Sequence, residues 1–584
     1  MQFRWIFFLP VILYGLDYRV DFVGLDNVQA IKSMLDASDL VILQDRPPAS
    51  LNGIRYRVQG DLPALLKVLR AYGYYDGKIS YTVDWKEHFA QVTLYIRPGP
   101  QYTIASYEVY HKEQCETPLA LPCCSPLTPA SLGLPIGSPA LSVSIVNAEL
   151  NLLTSLAECG YPLANVEKRK VIVDMQEKKV EAASCIDEGP LSKFGPLSIF
   201  GLKKVKPAFI LDRVAWQEGE LYRTIDVKNT QKRLLDSDLF SSVLISHKET
   251  LDEQGGLPIK MHLSEAKHRQ VSFGPFYATV DGPGGVFNWS HRNLRGMGES
   301  IQINMEASKR YLAGTLVYKK PDVLAIDQTY RALGQIERQD IYAYHSILYR
   351  GANFFDYKVD AKSYLSVGMQ VEHFNVTNSA NNRSYLFFDL PMIFKYNQAD
   401  DPLNPTRGYT LVYQPHFFQS LYQSSQQFIK QRITTTFYIP IVQKYFTFAG
   451  RVQLGSVAGT RQKNIPIPVL FLGGSEDDLR GYRYLTVSPL DAKKRPFGGR
   501  SAIFLSVETR FRIGNFGLVP FADFGTVTFR ELPTVDAKWF KSLGIGLRYF
   551  TFFGPIRFDV GFPLDRRKGV DHRYRLYASI GQAY

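Results

Sequence analysis

From about His268 to the end of the chain, apolar and polar residues alternate with a period of two, in segments separated by turns. Ile301, Ile303 and Met305 alternate with Gln302, Asn304 and Glu306, and Tyr409, Leu411 and Tyr413 follow the same rule. The final segment sets Tyr574, Leu576, Ala578, Ile580 and Tyr584 against Arg573, Arg575, Tyr577, Ser579 and Gly581. Strands with an apolar outside and a polar inside suit a closed barrel in lipid, where each backbone group must find its partner in the next strand. At about 20 residues per strand and loop, residues 267–584 hold roughly 16 strands. The alternative is a soluble sandwich or propeller. Aromatic density, with 35 Tyr, 38 Phe and 5 Trp, weighs against it, as do an exported start and an end inside a strand. After the first fifteen residues no uncharged apolar run reaches the ~20 residues of a spanning helix, which excludes a polytopic helical transporter.

The preceding residues have a different texture and repeat themselves. A first copy opens with Tyr18, Val20 and Phe22 in alternation with Arg19 and Asp21, a half-buried strand. Leu62, Leu65, Leu66, Leu69 and Tyr72 then mark one face of a helix that Gly73-Tyr74 ends. Val92, Leu94 and Ile96 alternate before Gly99-Pro100 closes the copy. A second copy carries Val146, Leu150, Leu153 and Ala157 on its helix, followed by Gly160-Tyr161 and a closing Gly189-Pro190. A third shows Leu234-Leu235, Leu239-Phe240 and the alternation Ile259, Met261, Leu263. Each unit reads as strand, helix pair and two strands, a small α/β sandwich, over 17–100, 101–190 and 191–266.

The net charge is +13, but Lys and Arg are dispersed and no nucleic-acid motif accompanies them, so an anionic membrane surface is the better match. One positive charge at Arg4 and an apolar run from Trp5 to Tyr14 read as a secretory leader over residues 1–16, with a buried first strand as the alternative. Cys115, Cys123, Cys124, Cys159 and Cys185 all lie before residue 190. Their number is odd and no Cys-x-x-Cys occurs, so a structural disulfide with unassigned partners is expected rather than a zinc or redox site.

In the last third, Gly473-Gly474 precedes Leu479-Arg480-Gly481-Tyr482 within a polar stretch that includes Glu476, Asp477 and Asp478. This resembles the Arg-Gly-aromatic tip of the sixth extracellular loop in outer-membrane assembly proteins of the BamA/TamA superfamily. Asn404-Pro405-Thr406-Arg407-Gly408-Tyr409 is similar to the superfamily's mid-barrel signature, and Asn293-Leu294 with Gly296 and Gly298-Glu299 to its early turn. Gly498-Gly499, Glu508 and Phe521-Ala522-Asp523-Phe524-Gly525 resemble its late strands, and Gly581-Gln582-Ala583-Tyr584 ends on an aromatic, as these barrels usually do. The resemblance implies α+β POTRA repeats followed by a transmembrane antiparallel β-barrel of about 16 strands, with the repeats in the periplasm of a Gram-negative-type bacterium. Three repeats point to the TamA branch, since BamA types usually carry five. Two-partner-secretion translocators carry two and a plug helix, and none is seen before Tyr18.

Glu508 and Asp523 sit on alternating strands where inward positions are polar. Arg480, presented by the turn that Gly481 permits, would bond both carboxylates and anchor the loop in the barrel. The seam between first and last strands is expected to involve Arg269, Val271, Phe273, Gly274 and Pro275 on one side and Leu576, Ile580 and Tyr584 on the other. Pro275 has no N–H and Gly274 flanks it, so the edge would pair weakly and template an incoming strand, or the pair is only a kink near the rim. The superfamily implies insertion or translocation of unfolded outer-membrane clients through that seam without ATP, with outer-membrane lipids and a TamB-like inner-membrane-anchored protein as partners. A general BamA-like insertase and a two-partner-secretion export channel are the alternatives. No nucleotide loop, zinc cluster or nucleophile elbow is found, so neither an enzyme, a cofactor nor a metal is expected, and the acidic run 476–478 reads as solvated loop charge.

Overall fold

The computed structural model describes residues 16–112, 115, 117–119, 127–278, 282–377, 382–422, 426–442, 445–551 and 554–580. Residues 1–15 of the expected leader, Cys123, Cys124 and the closing residues 581–584 lie outside them. Contacts divide the chain into two compact units: residues 1–200, 214–232 and 244–262, and residues 201–213, 233–243 and 263–584.

Three three-stranded sheets come first, all with the same topology. In the first, the central strand Phe89–Arg97 runs parallel to Tyr18–Val23 and antiparallel to Lys78–Lys86. Thr103–His111, Lys179–Asp187 and Asn165–Asp174 repeat the arrangement, and Lys193–Phe200 pairs in parallel with Gly256–Glu265 in the third. The inward positions of Phe89–Arg97, namely Ala90, Val92, Leu94 and Ile96, pack on Ile54, Val58, Leu65 and Leu69 of the helix Leu51–Ala71. That helix starts where the Ser50 hydroxyl accepts from the Gly53 N–H. It ends where the N–H groups of Gly73 and Tyr74 bond the carbonyls of Arg70 and Leu69.

Gly73 has φ +85° and Gly160 +95°, and Tyr161 bonds back to Leu156 as Tyr74 does to Leu69, so the repeated Gly-Tyr is a left-handed helix stop. The same glycines form the joints between copies, with the Gly73 carbonyl accepting from Tyr102 N–H and that of Gly160 from Ser192 N–H.

The expected helix pair is not uniform. The second copy has one helix among the described residues, Ser142–Glu158. Pro118, Pro122, Pro126, Pro129, Pro135 and Pro139 crowd the segment before it, and proline interrupts a helix interior. A disulfide joins Cys115 to Cys185 on the central strand of that copy, and Cys159 is disulfide-bonded as well.

The remaining strands form one antiparallel sheet of 16, in chain order from Arg269–Ala278 to Arg575–Ile580. Exposure alternates along its longer strands. In His345–Lys358, Ile347, Tyr349 and Phe355 face out, whereas Ser346, Leu348, Ala352 and Phe354 are buried. The polar inward groups are paired: Arg350 Nε donates to Glu372 at 2.6 Å, Arg331 to Asp356 at 2.7 Å, and Gln370 to Asp389 at 2.6 Å. No helix among the described residues is long and apolar enough to cross a membrane.

Candidate functional site: a buried arginine and an unpaired seam

The segment 459–500, between the strands Phe446–Ala458 and Ser501–Ile513, is long for a loop yet ordered by its own pairing. Gly473 and Val487 exchange backbone hydrogen bonds, as do Phe471 and Gly499. Asp478 accepts from the N–H groups of Gly474, Ser475 and Leu479. This corrects the reading of 476–478 as solvated charge: Asp477 is exposed, but Asp478 is buried because its carboxylate closes the turn before the tip.

Arg480 is 1 % exposed. Its Nε and Nη2 donate to the two oxygens of Asp523, both at 2.7 Å, and its Nη1 to Glu508 at 2.7 Å. Asp559 at 3.1 Å and the Ser506 hydroxyl at 3.1 Å take the remaining directions, so all five guanidinium donors are used. The Arg480 backbone N–H also donates to Asp523, and the Phe521 ring lies 3.4 Å below the guanidinium carbon. Two of the three carboxylates have further cations: Arg510 on Glu508, and Arg548 and Arg557 on Asp559. Arg510 also donates to the Pro405 carbonyl, which connects the mid-barrel signature turn to this network.

The structure thus brings Arg480, Glu508 and Asp523 together. Asp559, which completes the triad of carboxylates, was not singled out from the sequence. Its signal was an acidic residue at an inward position of the strand Gly554–Pro563, next to Arg557.

Gly481 has φ +93°, and a Cβ there would lie 3.1 Å from the Gly561 carbonyl carbon, so the tip is pressed against that same strand. Its N–H donates to the Tyr577 hydroxyl at 2.8 Å. Tyr577 belongs to the last strand and points inward. Tyr482 is fully buried: its hydroxyl donates to the Lys541 carbonyl, and its ring meets Phe540 edge-on.

At the seam, Arg269–Ala278 pairs with Gly282–His291 without a break, and Pro275 stands opposite Gly285 in continuous register. Arg575–Ile580 pairs with Gly554–Pro563. Among the described residues these two terminal strands do not pair with each other. Arg269, Gln270, Val271, Ser272 and Phe273 are all exposed, on both faces. Gly274 is partly covered and Pro275 exposed. Leu576 is 52 % exposed; the side chain of Ile580 and all of Tyr584 lie outside the described residues.

At the root of the first strand, Glu265 accepts from the N–H groups of Lys203, Lys204 and Val205, and His268 lies 3.7 Å from it. The Lys206 N–H donates to the Gly296 carbonyl, and Asn293 Nδ2 to that of Lys204, so this loop also holds the first turn of the barrel. Arg213 pairs with Asp322 of the next such turn.

The family described as the Omp85 superfamily domain matches residues 293–584. The chain belongs to the Omp85 superfamily. The match begins at the Asn293 turn and takes in the Arg480 loop and every strand after it. Outer membrane protein assembly factor BamA of Nitratidesulfovibrio vulgaris is 21 % identical, over 90 % of this chain and 68 % of its own length. The crystal structure of BamA from Haemophilus ducreyi lacking POTRA domains 1–3 superposes with a TM-score of 0.68 at 16 % identity, covering 82 % of this chain and all of that one. CdiB from Escherichia coli covers 90 % of this chain and 98 % of its own with a TM-score of 0.45 and 13 % identity. This Omp85 chain has its barrel in the outer membrane and its N-terminal repeats in the periplasm.

Proposed function

We propose that this Omp85 protein is an outer-membrane assembly factor that inserts or translocates β-barrel or autotransporter-type clients through the seam between its first and last strands. The observation that carries the reading is the edge 269–273, a row of backbone donors and acceptors that, among the described residues, has a neighbour on one side only. Such an edge accepts an extended segment by strand addition, and main-chain pairing needs no particular client sequence. The exchange of one strand pairing for another requires no nucleotide. The likeness to a BamA assembly factor supports the same class of client, and a general BamA-like insertase is the second reading it favours.

A passive export channel is less well supported, because the lumen is occupied by the Arg480 loop and its ion network. Arg480 with Glu508, Asp523 and Asp559 anchors that loop, and Gly481 allows it to turn. The three repeats 17–100, 101–190 and 191–266 would hand over unfolded clients, and their number supports the TamA branch with a TamB-like partner and contact with outer-membrane lipids.

The test is a disulfide across the seam, joining a position within 269–277 to one within 575–580 on a background lacking the five native cysteines. In membranes the bond is expected to form and to stop client assembly, with activity restored on reduction. A bond that forms while clients still assemble would overturn the seam as the route.

A further inference from the structure

On the outer face of the first five strands, the register aligns Phe273, Phe287, Met305, Gly314 and Ile336 in one row. The next row, towards the end of the strands away from the repeats, aligns Pro275, Gly285, Ala307, Leu312 and Arg338. Small residues at Gly285, Ala307 and Gly314 leave a depression of about 480 Å³ between larger neighbours. Its surface is mostly apolar; Glu306 and Arg338 are the charged residues of the lining, and Arg338 stands exposed at the rim two residues from the end of the strand Gln328–Asp340.

Among the described residues no carboxylate or carbonyl pairs with Arg338. Of the acids on its strand, Glu337 accepts from the Tyr311 hydroxyl and from Gln335, and Asp340 is engaged with His345 at 2.8 Å. Lys309 and Arg310, in the turn beside it, are exposed as well. A guanidinium on a lipid-facing surface is costly without an anion, and a level near the strand ends is where membrane headgroups lie.

We infer that this groove binds a phosphorylated, multiply acylated lipid of the outer leaflet of the lipid A type. Its acyl chain fills the depression over Gly285, Ala307 and Gly314, and its phosphate sits on Arg338 with Lys309 and Arg310 alongside. The inference rests on the outer-membrane reading and names a ligand for it. Charge complementarity selects the occupant, because an apolar client segment would leave the arginine unpaired. Phe273 forms one wall, so the bound lipid touches the first strand of the seam.

The experiment uses the full-length chain purified in detergent from membranes containing lipid A, with bound lipid A and anionic phospholipid quantified by mass spectrometry. Arg338→Gln removes the charge. Gly314→Leu fills the groove at a position where an added Cβ meets nothing within 4 Å. Gly351→Leu adds the same side chain at an equally open, exposed position outside the groove. The first two are expected to retain about tenfold less lipid A, the loss of one charge-assisted contact or of the cavity, and the third as much as the wild type. Equal retention in all four proteins, an equal fall in Gly351→Leu, or a fall in anionic phospholipid in place of lipid A would each overturn the assignment. Heat-modifiable migration of the wild type is read separately. Its absence would sink the barrel reading itself, whatever the lipid result.

Discussion

One sheet holds its strands in two opposite ways. The strands Ser501–Ile513, Phe516–Thr528 and Gly554–Pro563 have neighbours on both sides and are also tied together from within, since a single guanidinium bonds an acid on each. Among the described residues Arg269–Ala278 has one paired neighbour, and its side chains are exposed on both faces over its first half. The first four strands are also short, 9 or 10 residues, whereas the wall opposite has strands of up to 16. At about 3.4 Å per residue, tilted by some 45°, ten residues span about 24 Å, just the apolar band of roughly 25 Å of an outer-membrane barrel, with no length to spare. Rigidity is concentrated beside the gap and withheld from its edge. A barrel that must open at one place without collapsing needs that distribution.

The contrast is broken most severely at Arg480. Arg480→Ala leaves three buried carboxylates without their shared cation and is expected to cost about 3–5 kcal/mol, read as a fall in the denaturant midpoint of the heat-modifiable form. Arg480→Lys is not expected to restore it, because an ammonium cannot fork between Asp523, Glu508 and Asp559. A loss below about 1 kcal/mol would mean the network stabilises nothing.

Gly481→Ala is expected to cost about 2 kcal/mol, from a positive φ and a Cβ 3.1 Å from Gly561, with the loop tip displaced rather than the barrel unfolded. Protease sensitivity within 474–487, rising while barrel migration stays unchanged, checks it.

Tyr577→Phe removes one hydroxyl and is expected to cost about 1 kcal/mol. Its sharper readout is the seam: hydrogen exchange of the last strand should quicken while Ser501–Ile513 stays protected.

The smallest effect lies at the root of the first strand. Burial raises the Glu265 carboxyl, but the amides of Val205, Lys203 and Lys204 outweigh it and hold the group below its ordinary range. A depressed carboxylate stabilises above its ordinary value and loses that contribution as pH falls through the depressed one. The melting-point difference between wild type and Glu265→Gln should therefore shrink on acidification below the usual glutamate range, and a constant difference would contradict it.

Much of this was legible in the residues. Period-two alternation marked the barrel because lipid and lumen impose opposite polarity on successive side chains, and the two Gly-Tyr stops marked the first two copies because only glycine takes the left-handed turn without strain. Arg480, Glu508 and Asp523 were visible as an arginine on a loop and acids at inward positions. Asp559 and Tyr577 were not, because their relation to Arg480 and Gly481 exists only once strands distant in sequence lie side by side. Among the described residues the second copy shows one helix, Ser142–Glu158, where the repeat predicts a pair, and the segment before it is rich in proline. Pro275 lacks an N–H, and the strand keeps continuous register past it, with Pro275 opposite Gly285. The exposed edge reflects the lack, among the described residues, of a neighbour on the other side, which no single-residue property encodes.

The bond from the Gly481 N–H to the Tyr577 hydroxyl joins the innermost loop to the outermost strand. The two therefore form a thermodynamic couple: whatever energy the bond lends the loop tip in its seat, it lends equally to the last strand in its place. A client that draws the last strand aside must loosen the tip by the same amount. A ligand that seats the tip more firmly must, in return, tax every opening of the wall.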